Sequence, residues 1–223
     1  MATIHRLHPD NPQARTITQI VNALRDGAIM LYPTDTVYAI GCDLMSKSAV
    51  ERVRKLKQMS NDKPLTFLCS SLSNISEYAI VSNANYRTMK SLVPGPYTFI
   101  LPATKLVPKL VLNPKRKTTG IRVPDHGVSQ TIIEALGNPI ISTSANLTED
   151  DIDEEDFSHQ SKNAKQRNVC ELPKMELFDR FSKLVDFIVD DGSDHSYEVS
   201  TILDLTDDLK PVILRQGLGV SPF

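Results

Sequence analysis

The apolar run Ala28-Ile29-Met30-Leu31 is cut off at Pro33, and a loop dense in side-chain hydroxyls follows it. Proline has no N–H to give to a sheet ladder, so a strand must end or reach an edge there. The loop belongs to the run YPTDTVYAIGCD, Tyr32 to Asp43, and carries Thr34, Thr36 and Tyr38 with one carboxylate, Asp35. The same construction recurs in GIRVPDH, which places Arg122 just before Pro124, and in PIISTSAN, which offers Ser142, Thr143, Ser144 and Asn146. Strands that deliver polar groups at their C-terminal ends are where open α/β proteins build ligand sites. Taken singly, each segment also reads as an ordinary strand and turn, because connecting loops are polar in any case.

Helical and extended patterns alternate along the chain. Residues 12–26 begin with Pro12, stop before Gly27, and put Ile17, Ile20, Val21 and Leu24 on one face, which predicts a helix. Further helices are predicted after a capping box of Ser48 and Glu51, near 83–92, over 130–136 up to Gly137, and over 174–184. Strands are predicted at 28–32, near 37–42, at 64–69, at 97–102, and within TTGIRVP, PIISTSAN, VDFIVDD, VSTILDL and PVILRQG. The pattern predicts a single α/β domain, an open twisted mixed β-sheet flanked by helices. Residues 148–170 lose apolar periodicity and read as a mobile insertion, acidic and then basic.

Composition excludes several classes. No stretch approaches the roughly 18 apolar residues of a membrane span, and MATIHRLHPDNPQ lacks the apolar core of a secretory signal. Cys42, Cys69 and Cys170 have neither metal-like spacing nor a disulfide framework. A cytoplasmic protein with no membrane partner is the expectation, with Cys42 a small core residue. A net charge of −2 gives no global electrostatic case for nucleic acid. The stretch from Arg87 to Arg122 nevertheless contains Lys90, Lys105, Lys109, Lys115, Arg116 and Lys117 without one carboxylate. Such a run is either an anion-binding face or a solvated one. Neither GxxxxGK[ST] nor GxGxxG occurs, and no histidine falls in a metal or triad pattern. His126, between Asp125 and Gly127, reads as an exposed turn histidine, a general base being the alternative. What remains is hydroxyls, an amide and an arginine fork: a pocket for a nucleotide or an anionic substrate, without a dedicated nucleophile.

Taken together and in this order, YPTDTVYAIGCD, LVPGPYTFILPA, GIRVPDH, STSAN and the closing STILDL and VILRQG resemble the YrdC superfamily, the threonylcarbamoyl-AMP synthases. The resemblance runs from about Ile17 to Gly219, and HPDNPQAR is most similar to the YciO-like branch. It implies an open α/β fold with a deep, positively charged cavity; the additional C-terminal domain that some synthases carry is expected to be absent, because the sequence stops soon after RQG. The implied reaction joins L-threonine, bicarbonate and ATP into threonylcarbamoyl-adenylate, with Mg²⁺ held largely by the phosphates. The product would feed N6-threonylcarbamoyladenosine (t6A) modification of tRNA beside other proteins of that pathway. Matching positions imply that Thr34 and Tyr38 hold threonine and that Arg122 takes its carboxylate. Lys57 joins Arg122 as a catalytic group and grips ATP. Ser142, Ser144 and Asn146 contact the nucleotide, Ser200 and Arg215 close the pocket, and Asp35 shapes the loop.

The chain departs from the synthases in their K-x-R-P…N-P-L stretch. Here the residues are KQMSNDKPL: Lys57 is kept, Met59 stands in place of the arginine, and Lys63 in place of the asparagine. A lost phosphate-binding arginine removes charge-assisted hydrogen bonds of roughly 1.5–3 kcal/mol each, which implies reduced or altered activity. Val93 replaces the tryptophan of the usual WPGP, a packing change. The competing expectations are a module that binds double-stranded RNA, tRNA or a nucleotide without making the adenylate, and an acyl-adenylate hydrolase. For the latter no water-activating base is evident.

Overall fold

A computed structural model describes residues 1–57, 65–73, 75–113, 115–145, 172–194 and 196–220. Its first half runs β1 (Thr3–Arg6), α1 (Ala14–Arg25), β2 (Ile29–Tyr32), β3 (Ala39–Asp43), α2 (Lys47–Leu56), β4 (Thr66–Leu68) and α3 (Asn83–Leu92). The second half runs β5 (Tyr97–Pro102), β6 (Thr118–Arg122), α4 (Gly127–Leu136), β7 (Ile140–Ser144), α5 (Lys174–Phe181), β8 (Phe187–Asp190), β9 (Thr201–Asp204) and β10 (Val212–Arg215). The strands form one open mixed sheet of ten in the order β1-β8-β2-β3-β7-β4-β6-β5-β9-β10. None of the described helices is long and apolar enough to cross a membrane.

Register and strand parity decide which residues share a face. Ser142 of β7 lies opposite Gly41 of β3 and Thr66 of β4, and Thr66 in turn lies opposite Gly120 of β6. Arg122 pairs with Leu68 two residues further on, and Ser144 with Ala39. Successive side chains alternate, so all of these lie on one face. Ile40, Cys42, Phe67, Ile121, Ile141, Phe99 and Leu203 occupy the other, in a core with Ala49, Val50 and Val53 of α2, Met89 of α3, and Leu177, Phe178 and Phe181 of α5.

The first face is only half covered. Helix α1 packs on it through Ile17, Ile20, Val21 and Leu24, and α4 through Val128, Ile132, Ile133 and Leu136. Together they bury Met30, Tyr32, Ala39, Leu68 and Ile140. Close approach is built in at Gly41, where a Cβ would stand 2.7 Å from the Tyr32 ring and 2.8 Å from Ile140. Beyond Leu68, the same face carries Thr66, Arg122, Thr98 and Ser200 together with Ile202, around an open cavity.

Several sequence expectations shift. The α2 cap is Ser46, whose side chain accepts from the Ala49 N–H. Asp43 accepts from the Met45 N–H at 2.8 Å and turns the chain early, so Ser48 lies inside the helix. Glu51 pairs instead with Lys47, at 3.7 Å on the exposed surface. Helix α4 begins at Gly127, three residues before the expected start at 130. Strand β1 was not anticipated, its TIHR being too short and too exposed to leave an apolar signature. Cys42 is fully buried, and burial pushes its thiol up to about 12 with Asp43 adding to the effect. Val93 packs against the core. The insertion at 148–170 lies outside the described residues, as do Met59, Lys63 and Asn146.

Candidate functional site

The uncovered half of the face holds a cavity of about 160 Å³. Arg122, Ser142, Thr143, Ser144, Ser200 and Arg215 line it, together with Thr36, Thr66 and Thr98. Five of the residues that the sequence singled out (Arg122, Ser142, Ser144, Ser200 and Arg215) are thereby brought to one place from β6, β7, the start of β9 and the end of β10. Thr66 and Thr98 were missed. Their signal was a hydroxyl of the right parity inside otherwise apolar strands, PLTFLC and YTFILP.

Several of the polar groups are held by neighbours. The Ser142 hydroxyl is hydrogen-bonded to the Tyr32 hydroxyl at 2.7 Å. Burial pushes the Tyr32 phenol far above its ordinary range, the Ser142 bond opposing that only in part, so it acts as a neutral partner. Ser200 shares its hydroxyl with Thr98 at 2.9 Å. Arg215 directs Nε and Nη2 to the Ser200 carbonyl at 3.1 and 2.8 Å. Arg122 donates through Nη2 to Asp35 Oδ1 at 2.5 Å and to Thr36 Oγ1 at 2.8 Å, with both partners of the ion pair nearly buried. Held this way, the groups need little reorganisation when a ligand arrives.

Thr34, Tyr38 and Lys57 do not line this cavity. The Thr34 hydroxyl donates to the Val37 carbonyl at 2.7 Å and accepts from the Thr36 N–H at 3.2 Å, which closes the turn of the hydroxyl loop on itself. Tyr38 precedes Ala39, whose side chain faces the site, so parity sends it through the sheet. There it packs edge-on against Phe178 at 5.4 Å. Lys57 is the C-cap of α2, on the opposite side of the sheet, and the segment 58–64 that follows it lies outside the described residues.

His126 is neither an exposed turn residue nor a lining base of this cavity. It caps α4: Nδ1 accepts from the Ser129 N–H at 3.3 Å, which leaves Nε2 to carry the proton toward Asp191 Oδ2 at 3.0 Å. The Ser129 hydroxyl lies 3.2 Å from Nδ1, so the three residues are arrayed like a Ser-His-Asp triad. Ser129, however, is fully buried and gives its hydrogen to the Pro33 carbonyl at 2.5 Å. The array is a strap that ties the hydroxyl loop to α4 and to the end of β8. From that end, Ser196 N–H donates to Thr36 O at 3.2 Å.

A larger hollow of about 460 Å³ lies between α3 and α4, beside Ser70, Lys90, Asp125 and Glu134. Its described lining sets one lysine, Lys90, beside two carboxylates and His126 and contains no arginine, whereas the smaller cavity gathers two arginines and a ring of hydroxyls. The chemistry therefore favours the smaller one. No group of His, Cys, Asp and Glu that could hold a metal ion occurs among the described residues.

The sequence profile of the Sua5/yciO/yrdC family, described as Telomere recombination, matches residues 22–167. Uncharacterized protein YciO of Escherichia coli K12 is 41% identical over 224 residues, covering 100% of both chains. Threonylcarbamoyl-AMP synthase of Vibrio vulnificus YJ016 is 33% identical over 135 residues, 59% of this chain and 72% of that one. Among solved structures, E. coli YciO superposes with a TM-score of 0.82 at 38% identity, covering 99% of this chain and 98% of the other. P. abyssi Sua5 complexed with L-threonine superposes with a TM-score of 0.78 at 25% identity, covering 97% of this chain and 58% of that one. With the profile spanning more than half its length and a relative aligned end to end, the chain belongs to the Sua5/YciO/YrdC family.

Proposed function

We propose that this protein forms threonylcarbamoyl-adenylate from L-threonine, bicarbonate and MgATP, supplying the t6A modification of tRNA. The observation that carries this reading is the cavity itself: two arginines and a set of fixed hydroxyls, with neither a histidine nor a carboxylate in its described lining. The reaction needs no enzyme nucleophile. Threonine's amine adds to CO₂ derived from bicarbonate, and a carbamate oxygen then displaces pyrophosphate at the α-phosphorus. Both steps are accelerated by positioning and by neutralising the negative charge that develops.

In this reading Arg122 takes the amino-acid carboxylate, while Ser142 and Ser144 meet the adenylate phosphate and Ser200 and Arg215 close over it. Thr34 and Tyr38 serve by holding the loop and the back of the sheet, without touching substrate. Lys57 and Asn146 would contribute from segments flanking the cavity. A volume of about 160 Å³ falls below the ~300 Å³ at which pockets enclose drug-sized ligands, which suits the threonyl end better than a whole nucleotide. The described lining offers a divalent ion no carboxylate, so magnesium would arrive with the ATP phosphates as part of the substrate. Support also comes from the named threonylcarbamoyl-AMP synthase among the relatives and from the relative solved with L-threonine.

The test is pyrophosphate release from ATP and bicarbonate, measured with and without L-threonine. Threonine-dependent release is expected. Bound ATP without such release would reject the synthase and favour a nucleotide- or RNA-binding module, for which Met59 in place of the phosphate-gripping arginine already speaks. Release of AMP from added threonylcarbamoyl-adenylate, with no synthesis, would favour the hydrolase.

A further inference from the structure

Strands β4 and β6 run parallel and side by side and end level, at Leu68 and Arg122, yet the chain leaves them in opposite directions. After β4 it crosses to α3, which packs behind the sheet through Met89, and after β6 it enters α4, which packs on the cavity face. Adjacent strands whose connections part in this way leave a crevice beyond their carboxyl ends, and open α/β sheets bind ligands there. The larger hollow occupies that crevice, and its volume of about 460 Å³ lies within the ~300–1,000 Å³ of pockets that enclose small organic ligands. Asp125 reaches it from the turn after β6, Tyr86 and Lys90 from one face of α3, and Glu134 from α4.

This lining narrows the chemistry of an occupant. Asp125, Glu134 and Lys90 make no side-chain hydrogen bond or ion pair with the described residues, so all three are open to a ligand. Two carboxylates against one lysine repel a phosphate. A carboxylate just beyond the end of a parallel strand suits a ribose, whose adjacent hydroxyls both donate to it. Tyr86, with Pro94, Val123 and Pro124, offers apolar surface to a flat ring. A flat ring and a vicinal diol without a phosphate make a nucleoside.

We propose that the hollow between α3 and α4 is a second ligand site, one that takes a nucleoside. Asp125 and Glu134 accept from the ribose hydroxyls, the base stacks on Tyr86, and Lys90 donates to the base. The site shares no residue with the described lining of the smaller cavity, and it stands whether or not that cavity makes an adenylate.

The experiment is calorimetric titration of the whole protein with adenosine and with 2′,3′-dideoxyadenosine, which lacks both ribose hydroxyls, repeated on Asp125→Asn, Tyr86→Ala and Arg215→Ala. Asp125 and Tyr86 are exposed, so neither substitution threatens the fold. Adenosine is expected to bind the native protein at least about tenfold more tightly than the dideoxy analogue. Its affinity should fall about tenfold to a hundredfold in Asp125→Asn and by a similar factor in Tyr86→Ala. Arg215→Ala, in the smaller cavity, should leave adenosine binding unchanged. Loss of adenosine in Arg215→Ala, with the other two variants unaffected, would overturn the proposal by placing the nucleoside in the smaller cavity, in keeping with the synthase reading. Equal affinity for the two nucleosides would overturn it by removing ribose recognition. Failure of adenosine to bind the native protein would overturn it outright.

Discussion

Gly217 offers the sharpest test of how the cavity is assembled. Its N–H donates to Thr201 Oγ1 at 2.9 Å, drawing the end of β10 down onto the start of β9. A Cβ there would stand 2.2 Å from the Val199 carbonyl oxygen, 2.7 Å from the Ser200 carbonyl carbon and 2.8 Å from its oxygen. All three are backbone atoms, so no side chain can rotate away. Ordinary contact begins at 3.4 Å, and Gly217→Ala must therefore part the two segments by about 1.2 Å. That opening falls on Ser200, whose carbonyl holds Arg215 and whose hydroxyl meets Thr98. Overpacking of this kind costs roughly 1–3 kcal/mol of stability, and a misplacement near 1 Å costs about a hundredfold in rate. Urea denaturation should show the loss of stability, and threonine-dependent pyrophosphate release should fall about a hundredfold in protein that remains folded. A Gly217→Ala protein with unchanged midpoint and rate would refute the argument, because the corner could then yield without moving Ser200.

Two further predictions concern the strap behind the hydroxyl loop. Ser129→Ala leaves the Pro33 carbonyl without the donor it has at 2.5 Å in a fully buried position. About 1–3 kcal/mol of stability should be lost, and an unchanged urea midpoint would show that the strap is not holding the loop. Asp191 is the acid-sensitive member. Burial by itself would raise its pKa, but hydrogen bonds from His126 and Ser193 outweigh that and hold it well below the usual carboxylate range. A depressed folded pKa means stability that is present above the unfolded value and lost as pH falls through the folded one. Thermal midpoints should therefore drop below about pH 4 in the native protein. In Asp191→Asn the acid limb should be shallower and the neutral-pH midpoint lower, and identical pH profiles for the two proteins would contradict the sign worked out here.

Much of the architecture is legible in the sequence because its signals are local. Pro12 and Gly27 bracket α1, Gly137 stops α4 in a left-handed conformation, and YTFILP becomes β5 residue for residue. The order of the sheet is different in kind. That β7 lies between β3 and β4 follows from pairings remote in sequence, which no local period encodes. The same distinction runs through the site. Ser142 and Ser144 could be placed on one face from strand alternation, and they share the cavity. Thr34 sits in a loop where no period applies, and only the bonds it makes to Val37 and Thr36 reveal that its hydroxyl is already engaged. For Tyr38 the local rule and the motif point different ways: strand parity opposite to Ala39 puts its ring behind the sheet against Phe178. His126 looked exposed because Pro124 and Gly127 mark a turn, while the partner that buries it, Asp191, comes from the far end of the chain.

One consequence follows from how β7 is used. Ile141 points into the core behind the sheet, and Ser142 on the next residue points into the cavity. Phe67 and Leu68 of β4 divide between the same two faces, as do Ile121 and Arg122 of β6. A polar face of this extent is tolerable because the opposite face buries enough apolar surface to hold the strands in register. It is also tolerable because Thr36, Thr98, Ser142, Ser200, Arg122 and Arg215 in the lining are each tied to a neighbour. The hydroxyl loop gains its position from elements on both sides, Ser129 of α4 behind Pro33 and Arg122 of β6 against Asp35 and Thr36. Site and scaffold therefore share residues at the strand level, and a substitution in the cavity is felt in the sheet. Ser142 illustrates the coupling, since removing its hydroxyl would leave the buried Tyr32 phenol without its partner at 2.7 Å. A ligand that bonds Ser142 acts on the same pair of atoms that anchors β2 to β7.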